Sequence, residues 1–573
     1  MDRRTFLSLA GVAGMSTLLG GASSAQERSG APINEMLLRG RNQNRSTVVA
    51  RHGMVCTSQP LASLAGIDTL RAGGSAVDAA IAANAMLGLT EPMSCGLGGD
   101  LFAIVWWEKE KKLYGLNASG RSPYAWSLEA AKSLNLESIP SQSPLAWSVP
   151  GCASGWAALA EKFGAIPFKD VLQPAITTAR DGFPVSPIIA RGWPFPTKFE
   201  NLGKTYAPGG QHPRFGDIFQ NPALANTLEI LARDGAQAYY QGEIAEKLVR
   251  FSESVGGKFA LKDFTDHTAT WVEPVSTSYR GYDVWEIPPN GQGIAVLQIL
   301  NLLEHFDIGS LTPNSAEHLH LFIEAKKLAY EDRAIYYADP EKADVPVDWL
   351  ISKDYGKERV QLINPNKASM SVKPGAMDGS TDTIYLATAD RHGNMVSFIQ
   401  SIYSGWGSHF APEDLGFAIQ NRGSAFTLNA DHRNRLEPHK RPFHTIIPGF
   451  LTREGKAVMP FGVMGGDFQP QGHSQVLMNM IDFGYSVQQA GDQPRIEHAG
   501  SSDPDGSRME GAGIVACERH IGDDVKEKLA ALGHTLKPGF QEFGGYQAVW
   551  REDDPLRYFG GSDPRKDGCA IGY

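Results

Sequence analysis

Cysteine is scarce. Five cysteines, Cys56, Cys95, Cys152, Cys517 and Cys569, are scattered through 573 residues. No Cys-x-x-Cys pair occurs, so a zinc ribbon is excluded, and an odd, widely spaced set supports no disulfide framework. A His-Glu-x-x-His motif is absent too. His318 and His320 lie two residues apart on an expected helix, which sends them to different faces rather than to one metal. Positive charge is short: the formal charge is −10, and the nearest thing to a basic patch is Arg433, Arg435, His439, Lys440 and Arg441. That group reads as a solvated loop or a local anion contact. Phosphate neutralisation needs clustered Lys and Arg, so nucleic acid is not an expected partner. No internal repeat or low-complexity tract is visible. The glycine loop Ser94-Cys-Gly-Leu-Gly-Gly-Asp100 lacks the Gly-Lys-Ser/Thr ending of a phosphate cradle and precedes a strand, not a helix, so it reads as a tight turn. No metal and no cofactor is expected.

What is present is the composition of a soluble globular protein, 42% apolar and 20% charged, in a chain long enough for several cores. The beginning reads as an address. Asp2-Arg3-Arg4-Thr5-Phe6-Leu7 precedes an apolar run to Leu19, then Ser23-Ser24-Ala25. This is the pattern of a twin-arginine signal peptide over residues 1–25, with a small-residue cleavage site. The run is shorter than the roughly 20 residues a bilayer span needs, and no later segment is apolar enough. Export to the periplasm after folding, without a stable membrane anchor, is the expectation.

Along the chain, residues 48–57 read as one buried strand. Residues 61–89 have the small-residue density of a tightly packed helix pair, broken at Gly73-Gly74. The stretches 101–107 and 113–117 form an expected hairpin, and 124–260 is mostly helical. Residues 272–288 read as two strands, 291–306 as a helix, 315–337 as a long helix, and 365–382 as a linker of Asn, Lys, Ser, Pro and Gly. Later, 444–451 and 457–464 read as paired strands, 473–482 as a helix, and 508–573 as strands around a helix at 522–532. Hairpins alternating with helices indicate an α+β protein with layered sheets.

One hairpin stands out. Residues 383–389 and 395–403 are rich in β-branched and aromatic residues. Between them, Asp390-Arg391-His392-Gly393-Asn394 carries turn chemistry. With five turn residues and no bulge, Ala389 faces Met395 and Thr383 faces Ser401. Opposed residues have Cβ atoms about 4.5–5.5 Å apart, so two hydroxyls would meet. From the hairpin alone, two ordinary strand hydroxyls are the favoured reading, and a one-residue slip would send the two side chains to opposite faces.

Several stretches together resemble the γ-glutamyltransferase (glutathione hydrolase) family. They are 66–80, Glu91-Pro-Met-Ser-Cys-Gly-Leu-Gly-Gly99, Lys327-Leu-Ala-Tyr-Glu-Asp-Arg333, 383–394, Lys440-Arg-Pro442, Gly465-Gly466 and Ser562-Asp-Pro-Arg565. They follow the family's order from about residue 47 to the end. The resemblance implies an N-terminal-nucleophile hydrolase with an αββα four-layer sandwich, made as a proenzyme that cuts itself between Asp382 and Thr383. A large chain (26–382) and a small chain (383–573) would then share one catalytic fold. Thr383 would supply both the nucleophilic hydroxyl and, once freed, an α-amine base with a reference pKa of about 7.7–8.0. Ser401 matches the second hydroxyl, normally Thr. Gly465 and Gly466 match the oxyanion-hole glycines. The implied substrate is glutathione or a related small amide, with water or an amino-acid or peptide acceptor.

The family's glutamate clamp differs here. The position of its carboxylate-binding Arg falls on Ser119, with Arg121 two places later, roughly 7 Å further along a strand. An Asn becomes Tyr403, an Asp becomes Ala425, and a Ser-Ser pair becomes His444-Thr445. The expected substrate-binding set is Arg121, Tyr403, Gln420, Asn421, His444 and Thr445, with Arg121, Arg422 and His444 favouring an anion. Three readings follow: a γ-glutamyl amidohydrolase; a family amidohydrolase of altered specificity, acting on an oxamate-like or acyl-β-lactam amide; and a processed but non-catalytic binding protein.

Overall fold

The computed structural model describes residues 45–196, 198–370, 382–501, 503–507, 509, 511–537 and 543–573. The expected signal peptide and most of the 365–382 linker lie outside these residues.

Two seven-stranded antiparallel sheets carry the fold. In the first, the strands Asp382–Asp390 and Met395–Tyr403 sit centrally, between Gly53–Thr57 on one side and the hairpin Asp100–Trp107 with Lys112–Ala118 on the other. The second contains Gly449–Arg453, Lys456–Met464, Gly545–Glu552 and Arg557–Ser562. Successive side chains of a strand point to opposite faces. So Ile384 and Leu386 pack on the helix side with Val77, Ala80 and Ile81, while Tyr385, Ala387 and Ala389 pack between the sheets with Phe450, Met464 and Val549. Val463 lies on the other face of the second sheet, against Gly472 of the helix Gln469–Ile481. Helix, sheet, sheet, helix is the expected four-layer order. The central hairpin is buried on both faces, which explains its almost unbroken apolar run.

The helix pair is Pro60–Arg71 and Ala76–Thr90, with the break at Gly73-Gly74. Among the described residues no helix is long and apolar enough to cross a membrane. Three expectations need correction. Residues 48–57 are two strands in different sheets, Val48–Ala50 and Gly53–Thr57. Residues 272–288 belong to three strands: Thr270–Val272 joins the first sheet, and after Pro274 the pair Val275–Tyr279 and Tyr282–Glu286 joins the second. The strand expected at 444–451 begins only at Gly449, and His444 makes an isolated bridge to Gly291.

Candidate active site

The turn of the central hairpin anchors one end of the site. Asp390 Oδ1 accepts the backbone N–H groups of His392 and Asn394, and its Oδ2 accepts that of Ala76, the first residue of its helix. Thr388 Oγ1 donates to the Ala76 carbonyl at 2.7 Å. One carboxylate therefore closes the turn and caps a helix, where a negative charge is favoured. From there the register runs as expected, from Ala389 opposite Met395 to Ile384 opposite Gln400.

At the far end the register shifts, and Asp382 pairs with Tyr403 across a bulge that the no-bulge reading did not contain. Thr383 and Ser401 nevertheless meet. Thr383 Oγ1 donates to Ser401 Oγ at 3.2 Å, and both residues are fully buried. Ser401 Oγ also accepts the Tyr403 N–H at 2.9 Å. Tyr403 has φ +80°, a left-handed conformation that is rare and costly for a bulky residue. The glycine loop explains its composition here. A Cβ on Gly99 would stand 2.2 Å from the Ser401 carbonyl oxygen, so only glycine lets the loop lie against this strand.

Contacts run from the hydroxyl pair to the glycine pair. Arg422 Nη2 reaches Ser401 Oγ at 3.5 Å, and its Nη1 donates to Thr445 Oγ1 at 2.8 Å. Its guanidinium lies 3.9 Å from the centroid of the Tyr403 ring, a cation–π contact. Gln292 Nε2 then donates to the carbonyls of both Thr445 and Gly466, each at 2.8 Å. Gln292 Oε1 accepts from Arg333, which pairs with Asp467 and Asp503. Gly465 and Gly466 have φ of +126° and +54°, so both sit where glycine is favoured.

The other expected binding residues have identifiable duties. Asn421 holds the turn after the hairpin, its Oδ1 accepting the Ser404 N–H and its Nδ2 donating to Ser404 Oγ. Gln420 Nε2 donates to Asp100 Oδ1. His444 Nδ1 accepts the Ile446 N–H, so its Nε2 carries the proton and donates to Asp100 Oδ2 at 3.0 Å. Burial, reinforced by the charge of Arg422, lowers the His444 pKa to about 4, so this imidazole is neutral near pH 7.

The two arginines have exchanged prospects. Arg121 is held by both oxygens of Glu341, at 2.8 and 2.7 Å, and Glu341 also pairs with Arg441. Its charge is therefore spent inside the protein. Arg422 is fully buried with no carboxylate in contact among the described residues, and no hydrogen-bond partner meets its Nε. Burial lowers its pKa to about 10, which still leaves it charged at neutral pH. From sequence, Arg422 favours an anion but falls outside the expected binding set. Asp100, directly opposite Ser401 in the neighbouring strand, and Gln292 were missed. Only Asp100 had a nearby signal, as the residue ending the glycine loop.

His320, Glu324 and His534 come together with ligand atoms within 4.8 Å of one another. Most of their polar atoms are engaged within the protein: Lys327 pairs with Glu324, His320 bonds both His534 and the Asn364 carbonyl, and Glu324 accepts the Ser369 N–H, while His534 Nδ1 meets no partner among the described residues. His318 lies apart from it, with its Nδ1 accepting the Asn314 N–H.

Comparison with known proteins shows what the whole chain is similar to. A family model described as Gamma-glutamyltranspeptidase matches residues 62–573. A glutathione hydrolase-like YwrD proenzyme from Bacillus subtilis is 34% identical, over 92% of this chain and 99% of its own. An oxamate amidohydrolase proenzyme from Klebsiella pneumoniae is 33% identical, over 92% of this chain and 100% of its own. The crystal structure of cephalosporin acylase from Bacillus halodurans superposes with a TM-score of 0.86 at 39% identity, covering 97% of this chain and 99% of that one.

Proposed function

The chain belongs to the gamma-glutamyltranspeptidase family, and on that premise we propose that it cuts its own backbone between Asp382 and Thr383 and then hydrolyses a small carboxylate-bearing amide through Thr383. The observation that carries this is the buried 3.2 Å contact between Thr383 Oγ1 and Ser401 Oγ. A threonine hydroxyl is a weak nucleophile and needs a base and an orienting partner.

In the precursor, Thr383 Oγ attacks the carbonyl carbon of Asp382. The amide becomes an ester as the C–N bond breaks, and the hydroxyl proton ends on the freed amine. Water then hydrolyses the ester and leaves Thr383 as a new amino terminus, with residues 26–382 and 383–573 as its two chains. In turnover the same oxygen attacks the substrate carbonyl while the α-amine takes its proton. The developing oxyanion lies at Gly465-Gly466, where one backbone donor is typically worth about 2.7–4 kcal/mol. The amine then gives its proton to the departing amine of the substrate. Water, or an acceptor amine, resolves the acyl-enzyme.

The relatives' names span glutathione, oxamate and cephalosporin acyl groups. Engagement of Arg121 by Glu341 argues against an ordinary γ-glutamyl clamp and favours a different carboxylate-bearing amide. Asn421 serves the fold in this reading, while Tyr403 and Thr445 carry Arg422. Residues 1–25 act as the export signal, and fractionation of cells with Arg3 and Arg4 replaced by lysine tests that assignment. For the main reading, mass spectrometry of purified protein must find a chain beginning at Thr383. An intact Asp382–Thr383 bond in active material refutes it.

A further inference from the structure

Arg422 is a buried charge that no carboxylate contacts among the described residues; buried Asp100, and Asp467, act on it only through space. An unpaired charge in such a place costs several kcal/mol unless something compensates it. Most other buried guanidiniums close to the site are paired: Arg121 and Arg441 with Glu341, and Arg333 with Asp467 and Asp503. Arg422 instead rests on the Tyr403 ring, donates one N–H to Thr445 and approaches Ser401. Asp100, the carboxylate behind the site, takes up His444, Gln420 and the backbone of Gly120 and Gly151. The strained φ of +80° at Tyr403 places a half-buried aromatic ring under this guanidinium. Strain of that kind persists where the surroundings over-determine it, and it collects at ligand clamps.

We propose that Arg422 is the substrate-carboxylate anchor of this chain, and that it selects amides whose carboxylate lies one or two carbons from the scissile carbonyl. This rests on the reading of Thr383 as nucleophile. The geometry sets the length. Arg422 Nη2 is 3.5 Å from Ser401 Oγ, which is 3.2 Å from Thr383 Oγ1. Cation and nucleophile are therefore at most about 7 Å apart, and an attack distance of about 3 Å plus a charge-assisted hydrogen bond of about 2.8 Å use most of that span. A carboxylate on the next carbon, or the one after, fits directly. A γ-glutamyl group has its α-carboxylate four C–C bonds of about 1.5 Å away and has to fold back on itself. Tyr403 and Thr445 orient the anchor by stacking beneath it and accepting its N–H. Both stand where the family carries other residues, so the clamp has been rebuilt around a cation on a different loop.

The test uses the mature wild-type protein and a chain-length series of amic acids, oxamate, malonamate, succinamate and glutaramate, each beside an uncharged amide of equal length. Ammonia release gives kcat/KM. We expect the maximum at oxamate or malonamate, a fall of at least about tenfold by glutaramate, and about 10²–10³-fold discrimination against the uncharged partners, the range of a lost buried charge pair. Arg422→Gln should raise KM for the short amic acids by a similar factor, and Arg422→Lys should recover part of it. If Arg422→Gln fails to fold, the wild-type series still decides. A maximum at glutaramate, or equal turnover of charged and uncharged amides, overturns the anchor. Protein that stays uncut at residue 382 and releases no ammonia removes the nucleophile reading and the anchor with it, and the mass spectrum separates that failure from the first.

Discussion

Ser401→Ala is the most informative single perturbation of the hydroxyl pair. It removes one oxygen on which three donors converge: the Thr383 hydroxyl, the Tyr403 N–H and, more distantly, Arg422 Nη2. A buried donor left without its acceptor costs about 1–3 kcal/mol. Part of this appears as lost stability, because the strained Tyr403 backbone loses a restraint. The rest appears in the rate, because the Thr383 hydroxyl loses the partner that aims it. At about 1.4 kcal/mol per factor of ten, one such loss slows reaction by about ten- to a hundredfold. The same oxygen of Thr383 attacks in both self-cleavage and turnover, so both steps should slow together. The assay is a time course of the 62.1 kDa precursor by mass spectrometry, paired with single-turnover amide hydrolysis by whatever matured enzyme accumulates. Ser401→Thr keeps the hydroxyl and should rescue both steps, less a packing penalty of about 1–3 kcal/mol if the extra methyl is poorly accommodated. If Ser401→Ala matures and turns over at wild-type rates while folding normally, the hydroxyl contact has no part in the chemistry and the orientation argument fails.

Thr383→Ala should give one uncut chain without amidase activity, and a chain beginning at residue 383 in that variant would remove the assignment. Gly465→Ala places a side chain at φ +126° and 3.3 Å from the Gly544 Cα; we expect kcat to fall by about 10²-fold or more with a smaller change in KM, checked by steady-state kinetics. Arg121→Ala removes a buried guanidinium whose Glu341 partner is 45% exposed and keeps Arg441, so it should cost about 1–3 kcal/mol in denaturant unfolding and leave KM for short amic acids within a few-fold; a large rise in KM would return the clamp to Arg121. His444 has its pKa lowered from 6.5 to about 4 in the folded chain, mainly by burial. The unfolded chain therefore takes up that proton first, and the neutral ring's contribution is complete above pH 6.5 and is lost as pH falls toward 4. The loss approaches about 3 kcal/mol relative to His444→Gln, read as the difference between their unfolding free energies across that window; parallel curves would refute it.

The parts legible in the residues are those fixed by short-range rules. Turn chemistry at 390–394 and a side-chain period of two give the register from Ala389 opposite Met395 to Ile384 opposite Gln400 and point Thr383 toward Ser401, which it meets across the bulge, and Gly73-Gly74 is enough to end a helix. What escaped depends on partners far along the chain. The break inside 48–57 forms where the N–H groups of Arg51 and His52 meet the carbonyl of Tyr573, the last residue. The bulge beyond Ile384 accompanies a left-handed Tyr403, which no β-branched or aromatic pattern announces. The same limit governs the two arginines. Arg121 stands beside the family's motif and has the right charge, so spacing along one strand favours it. Whether a cation can receive a substrate depends instead on which anions the fold brings to it. Glu341, 220 residues later, engages Arg121 bidentately, and among the described residues no carboxylate contacts Arg422. A motif can therefore keep a nearby charge and still lose its clamp. On the anchor we propose, the substrate's carboxylate goes instead to the cation that no carboxylate contacts among the described residues, within about 7 Å of the Thr383 hydroxyl by way of Ser401, and that distance calls for a short acyl group.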